Sequence, residues 1–331
     1  MKVTVIGAGS WGTAIANSLA GNGHDVYVWS YTKEEADELN TYRENIRFLK
    51  GHKLRDNITI TTDMALACKD SKLIACTVPS FATRQTARSL AKCLSSDQIV
   101  VNLSKGLEDG SCKRLSEVYQ EELPDNKIAV LSGPTHAEEI IADLPSTLVV
   151  ATADSSVALF VQDVFMNKNL RVYTSEDVIG VELGGALKNI IALCAGISDG
   201  LGYKDNTKAA LMTRGLMEIT RMGVKLGANF NTFLGLSGVG DLIVTCTSMN
   251  SRNRRAGILI GQGKTLKQAQ DEIKMVIEGA NTVKAARKLA VENEISMPIV
   301  EEAYQILVND KDPREAVMDL MTRDKTKELN V

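Results

Sequence analysis

Histidine is scarce in this chain: only His24, His52 and His136, far apart in sequence. A histidine-rich metal centre is therefore not expected, and a Ser-His-Asp hydrolase finds little support, although spacing alone does not exclude one. The six cysteines (Cys68, Cys76, Cys93, Cys112, Cys194 and Cys246) form no Cys-x-x-Cys pair and match no zinc spacing. Several lie in apolar runs, as reduced structural cysteines do. Aromatic residues make up 5% and the net charge is −3, so no basic field invites nucleic acid or an anionic membrane. No apolar run approaches the roughly 18 residues of a membrane span. The run after Met1 is too short for a signal peptide and is followed at once by glycines. A reducing cytoplasm is the expected location.

What is present is an ordinary globular composition, 44% hydrophobic and 24% charged over 331 residues, long enough to expect two domains. Short β-branched runs at 3–6, 26–29, 58–61, 73–78, 99–103, 128–131 and 147–151 read as strands, with helix-length segments between most of them. That alternation predicts a Rossmann-like, doubly wound, mostly parallel sheet over 1–178. From about residue 175 a 3.6-residue period takes over, at 178–198, 206–228, 253–261, 265–274, 279–293, 298–308 and 313–321, predicting an all-helical domain over 179–331. Thr265 and the pair Asp312-Pro313 have the character of helix starts.

Gly7-Ala8-Gly9-Ser10-Trp11-Gly12 is a G-x-G-x-x-G string set between a first strand and a helix, with a second strand following. In that context it predicts a dinucleotide site: Gly7 for the tight turn, Gly9 for close approach of the pyrophosphate, Gly12 for helix–strand packing. The second strand ends Trp29-Ser30-Tyr31-Thr32-Lys33-Glu34 with no carboxylate at the strand end. An adenosine 2′-phosphate is not repelled there, which leans the cofactor to NADP(H) or to dual use. Tyr31 either stacks on adenine or is a half-buried loop tyrosine. Gly261-Gln262-Gly263-Lys264-Thr265 ends like a P-loop but lacks the leading glycine and strand; it reads as a helix stop at Gly263 and a new start. Ser251-Arg252-Asn253-Arg254-Arg255 combines hydroxyl, guanidinium and amide donors, which suit a single phosphate monoester better than nucleic acid; a solvated basic turn is the alternative.

Lys188 stands out within Gly184-Gly185-Ala186-Leu187-Lys188-Asn189-Ile190-Ile191-Ala192. Either it snorkels to the surface, or it is buried, desolvated and paired, which draws a lysine toward acid–base chemistry.

These blocks together resemble the NAD(P)-dependent glycerol-3-phosphate dehydrogenases of the bacterial type. The resemblance runs over essentially the whole chain. It is carried by Gly7–Gly12, Ser104-Lys105-Gly106-Leu107-Glu108, Ser132-Gly133-Pro134-Thr135-His136-Ala137, the Lys188 helix, Gly238-Val239-Gly240-Asp241, Ser251-Arg252-Asn253 and Val276-Ile277-Glu278-Gly279. It implies hydride transfer between NAD(P)H and dihydroxyacetone phosphate, giving glycerol 3-phosphate for glycerophospholipid synthesis. By the same resemblance, Lys188 is the acid–base and Lys105 a second lysine at the junction of cofactor and substrate. Asp241 is the acidic member, and Gly133, Thr135, Ser251, Arg252 and Asn253 contact substrate. Ser10, Trp11, Ala137, Arg252, Val276 and Glu278 contact the nucleotide. Many relatives carry His-Arg where this chain has Tyr31-Thr32, so strict NADPH use is in doubt, and Tyr31 resembles NADH-using relatives. Asn189 and Thr245 are expected as further polar contacts, since Thr245 can share a helix face with Asp241. No metal is required, and a homodimer is plausible from the apolar content of the helical part. The rivals are a related hydroxyacid or sugar-acid-phosphate dehydrogenase, and a non-catalytic NAD(P)-sensing protein.

Overall fold

The computed structural model describes residues 1–328. The chain forms two compact units, one of Met1–Lys105 with Leu115–Val178, the other of Gly106–Arg114 with Ile179 onward.

The first unit alternates strand and helix: β1 (Lys2–Ile6), α1 (Ser10–Gly21), β2 (Asp25–Trp29), α2 (Lys33–Tyr42), β3 (Ile58–Thr61), α3 (Met64–Cys68), β4 (Leu73–Cys76), α4 (Thr83–Leu90), β5 (Ile99–Asn102), α5 (Leu115–Glu122), β6 (Lys127–Ser132), α6 (Ala137–Ile141), β7 (Ser146–Ala151), α7 (Ser155–Phe165) and β8 (Leu170–Ser175). The strands make one sheet in the order β3-β2-β1-β4-β5-β6-β7-β8, parallel except between β6 and β7. The chain winds outward from β1 in one direction, then crosses to β4 and continues in the other. This places the topological switch at the carboxyl ends of β1 and β4, where such sheets bind ligands. Continuous apolar runs such as Leu73–Cys76 are buried throughout, as strands covered on both faces must be. Thr77 keeps its amide bond to Ile6, but the strand expected to reach residue 78 stops at Cys76, two residues short of Pro79.

The eighth strand, β8, adds to the seven expected. Leu170 and Val172 are buried while Arg171 and Tyr173 are exposed, so it carries the alternating pattern of an edge strand. That signal is weaker than the continuous apolar runs of the central strands.

The second unit is helical: α8 (Val178–Gly200), α9 (Asp205–Lys225), α10 (Asp241–Thr247), α11 (Arg252–Gly261), α12 (Leu266–Ile273), α13 (Glu278–Glu292), α14 (Pro298–Val308) and α15 (Pro313–Met321). Thr265 caps α12 in a full capping box with Gln268, and Asp312 caps α15 with Pro313 in its first turn. Gly263 takes φ +95° just past the end of α11, as a helix stop does. Segment Gly106–Arg114, expected within the first domain, joins the helical unit: Leu107 and Cys112 enter its core, and Arg114 Nη1 pairs with Glu182 Oε2 at 3.0 Å. Among the described residues α8 is the one helix long and apolar enough to cross a membrane, but 83% of its apolar window is buried inside the protein, as in a core helix.

Candidate active site

The nucleotide end is built where β1 runs into α1. Gly7 turns at φ +110°, and its amide donates to Trp29 O at 3.0 Å, tying the turn to the end of β2. A Cβ on Gly12 would lie 1.9 Å from Gly7 O and 2.6 Å from Thr77 Oγ1, so only glycine permits this packing. Gly9, by contrast, faces open space and precedes the N-terminus of α1 with no side-chain cap. Unpaired amides at a helix start, beside room for a ligand, fit a pyrophosphate. Ser10 opens the helix, and Trp11 packs on the sheet core with Nε1 donating to Leu103 O at 3.2 Å. Thr77, which the sequence reading did not select, buttresses the turn through hydrogen bonds from Oγ1 to Ile6 O and Gly7 O.

At the far end of this site Tyr31 is 82% exposed and meets Trp29 edge-on, with ring centroids 6.1 Å apart. It is an exposed platform rather than a half-buried loop tyrosine. Thr32 is spent on capping α2, its hydroxyl accepting from Glu35 N at 3.3 Å. Although no carboxylate belongs to the strand end, Glu35 Oε2 reaches back to accept from Ser30 Oγ at 2.5 Å. The capping-box spacing Thr32-x-x-Glu35 was the available signal, because it turns the glutamate toward the helix start.

Also in the first unit, Lys105 Nζ donates to Gly133 O at 2.8 Å and Thr135 Oγ1 to the same oxygen at 3.2 Å. Gly133 sits at φ +142°, and a Cβ there would be 2.9 Å from Thr147 O. Ala137, buried, opens α6 immediately beyond this turn.

The helical unit brings together the other expected residues. Lys188 does not snorkel. Its side chain is 7% exposed, and Nζ donates to Asp241 Oδ1 at 2.8 Å and to Thr245 Oγ1 at 2.5 Å. A kinked turn, Leu236–Gly240, with Gly238 outside the helical region at φ −98° and ψ −106°, delivers Asp241 to the first turn of α10. One turn on, Thr245 donates to Asp241 O at 2.7 Å, which orients its lone pairs to Lys188. Cys246, next along α10, is not a nucleophile: burial pushes its thiol up to about 12, against the opposing pull of Lys188.

Beside this pair, Asn253 Nδ2 donates to Asn189 Oδ1 at 3.0 Å, and Asn253 Oδ1 accepts from Gly279 N at 2.9 Å. Ser251 caps α11, its hydroxyl accepting from Arg254 N, and Arg252 opens the helix half-buried. The basic cluster is thus divided. Arg254 is a structural clamp, bound to Asp199 Oδ2 at 2.7 and 2.9 Å and to Thr247 O at 2.9 Å. Arg252 lies next to the Ser251 cap, in the first turn of α11. Val276 and Glu278, both half-buried, flank the start of α13 next to Gly279. No cluster of three metal-ligating side chains occurs among the described residues.

Residues 2–158 match the family described as NAD-dependent glycerol-3-phosphate dehydrogenase N-terminus, and residues 177–318 the corresponding C-terminus. A glycerol-3-phosphate dehydrogenase [NAD(P)+] of Thermoanaerobacter sp. (strain X514) is 54% identical, over 100% of this chain and 99% of its own. One from Clostridium acetobutylicum is 51% identical over 98% of each. The crystal structure of glycerol-3-phosphate dehydrogenase from Coxiella burnetii superposes with a TM-score of 0.94 at 37% identity, covering 97% of this chain and 99% of that one.

Proposed function

Since the chain belongs to the NAD-dependent glycerol-3-phosphate dehydrogenase family, we propose how its residues divide the work of that reaction. The enzyme interconverts dihydroxyacetone phosphate and sn-glycerol 3-phosphate with NAD or NADP as hydride carrier. The nicotinamide cofactor supplies or accepts the hydride at C2 of the three-carbon substrate.

The observation that carries the assignment is the buried Lys188–Asp241 pair. An ammonium held at a fixed angle by a carboxylate and a hydroxyl is placed to give a proton to one oxygen. As the ketone is reduced, Lys188 protonates the developing alkoxide; in the oxidative direction neutral Lys188 removes the hydroxyl proton. Asp241 balances the charge of the ammonium, and Thr245 helps to fix its direction. In the first unit Lys105, fixed by Gly133 O, is a second positive charge held in place to stabilise developing negative charge. Arg252 grips the phosphate as a fork, joined by donors from Ser251 and Asn253, and Asn189 orients Asn253. Gly133 and Thr135 contact the substrate. Gly7, Gly9, Ser10, Trp11, Gly12, Tyr31, Ala137, Val276 and Glu278 serve the nucleotide.

We extend the reading to the cell. The product is the backbone of glycerophospholipids, so the enzyme supplies their synthesis. Six free cysteines suit a reducing cytoplasm. Exposed Phe230, Leu234 and Ile243 in the helical unit support a homodimer, to be checked by sedimentation equilibrium. The assignment of Lys188 is tested by Lys188→Ala. It should lower kcat for dihydroxyacetone phosphate reduction by about 100-fold or more. Near-normal turnover by a folded variant removes Lys188 from the mechanism.

A further inference from the structure

The adenosine end of the nucleotide site contains a charge that the order of residues along β2 does not disclose. Trp29 ends the strand and its carbonyl accepts from Gly7 N, so strand end and glycine turn are neighbours. Ser30 follows, wholly buried, and its hydroxyl donates to Glu35 Oε2 at 2.5 Å. Glu35 belongs to the first turn of α2, which Thr32 caps. The other carboxylate oxygen of Glu35 accepts no hydrogen bond among the described residues. In dinucleotide-binding folds the adenosine ribose lies beside an acid at the end of the second strand. That acid accepts from the 2′-hydroxyl of NAD(H) and repels the 2′-phosphate of NADP(H).

We infer that Glu35, reaching back from α2 to Ser30, stands in for the strand-end acid and makes this enzyme select NAD(H) over NADP(H). The inference rests on the cofactor site assigned above. A competing charge exists: Lys33, exposed at the start of α2, is the one cation among residues 30–35. It is a flexible, hydrated ammonium without a fixed partner, whereas the Glu35 carboxylate is anchored by a buried hydroxyl. Tyr31 and Thr32 add no charge, and Thr32 is committed to the helix cap. The anchored group decides the preference.

The test is direct binding of NADH and of NADPH, followed by quenching of Trp11 and Trp29 fluorescence, alongside initial rates with each nucleotide. The wild-type protein should bind NADH at least about tenfold more tightly than NADPH, a difference of about 1.4 kcal/mol. Glu35→Gln keeps an acceptor for Ser30 and removes the charge. It should cut that ratio to about threefold or less, mainly through tighter NADPH binding. Equal affinities in the wild type, or a preference for NADPH, overturn the inference without any variant. So does a Glu35→Gln protein that loses affinity for both nucleotides alike, since a merely structural cap would behave that way. Failure of the folded protein to bind either nucleotide would overturn the cofactor site itself. Tight binding of both without preference overturns only the role of Glu35.

Discussion

A lysine and a carboxylate that are each expensive to bury alone become tolerable together, and the helical unit is arranged around that fact. Asp241 is wholly buried, and Lys188, on an otherwise apolar helix, is its partner at 2.8 Å. Exchanging Asp241 for asparagine keeps the shape of the pair but leaves the Lys188 ammonium buried without its counter-charge. If Lys188 acts as proposed above, kcat for dihydroxyacetone phosphate reduction should fall by about tenfold or more in Asp241→Asn, about 1.4 kcal/mol of barrier. Unchanged kcat in a folded variant would show that Asp241 does not position Lys188. The lysine itself was legible from sequence, because a charge among so many small apolar residues is conspicuous. Its partner lies 53 positions away and only folding brings it near.

At the scale of elements, the beginning of α13 is a close join within the helical unit. The amide of Gly279 donates to Asn253 Oδ1, and a Cβ on Gly279 would stand 2.5 Å from Asn189 O and 3.0 Å from Asn253 Oδ1. Gly279→Ala must therefore move the start of α13 away from α8 and α11. Asn253 then loses its orientation, and KM for dihydroxyacetone phosphate should rise by about tenfold, about 1.4 kcal/mol of lost binding. Because both changes act through one hydrogen bond, adding Asn253→Ala to Gly279→Ala should cost little more. Fully additive effects in steady-state kinetics would separate the two residues. Most of these elements could be read from periodicity and caps, Thr265 and Asp312 among them. The turn Leu236–Gly240 could not: its two glycines and one serine give no helical period, and its kink at Gly238 brings that residue so close to the preceding turn that a Cβ there would lie 2.0 Å from Phe233 O.

At the scale of the whole molecule, the stability of the helical unit carries a pH dependence unrelated to catalysis. Glu218 of α9 is buried, and both its oxygens accept amides at the start of α14, from Ile299 at 2.8 Å and Val300 at 3.2 Å. Burial outweighs those bonds and pushes its carboxyl up to about 7, against 4.5 for a free glutamate. Between those values the unfolded chain has released the proton and the native state still holds it. The native state binds more protons there, so stability falls as pH rises from about 4.5 to about 7, by roughly 3 kcal/mol from this group. Glu218→Gln removes the slope and leaves a pH-independent offset. Urea unfolding at both ends of that range should show the wild type losing ground to the variant as pH rises. A constant gap between the two proteins would place the titration elsewhere.

The order of most elements, the dinucleotide turn, the conspicuous lysine of α8 and the polar cluster Ser251–Asn253 were determined by the sequence alone, because each depends on residues close together in the chain. Periodicity, caps and the spacing of glycines are local physics. Pairings across long separations belong to the tertiary structure. Folding divided the basic cluster by giving Arg254 to Asp199, and moved residues 106–114 into the helical unit. It also swung Glu35 back to Ser30, putting a carboxylate at a strand end whose own residues have none. Burial and hydrogen bonding decide which of several chemically equivalent side chains acts, and both are properties of neighbours in space rather than along the chain.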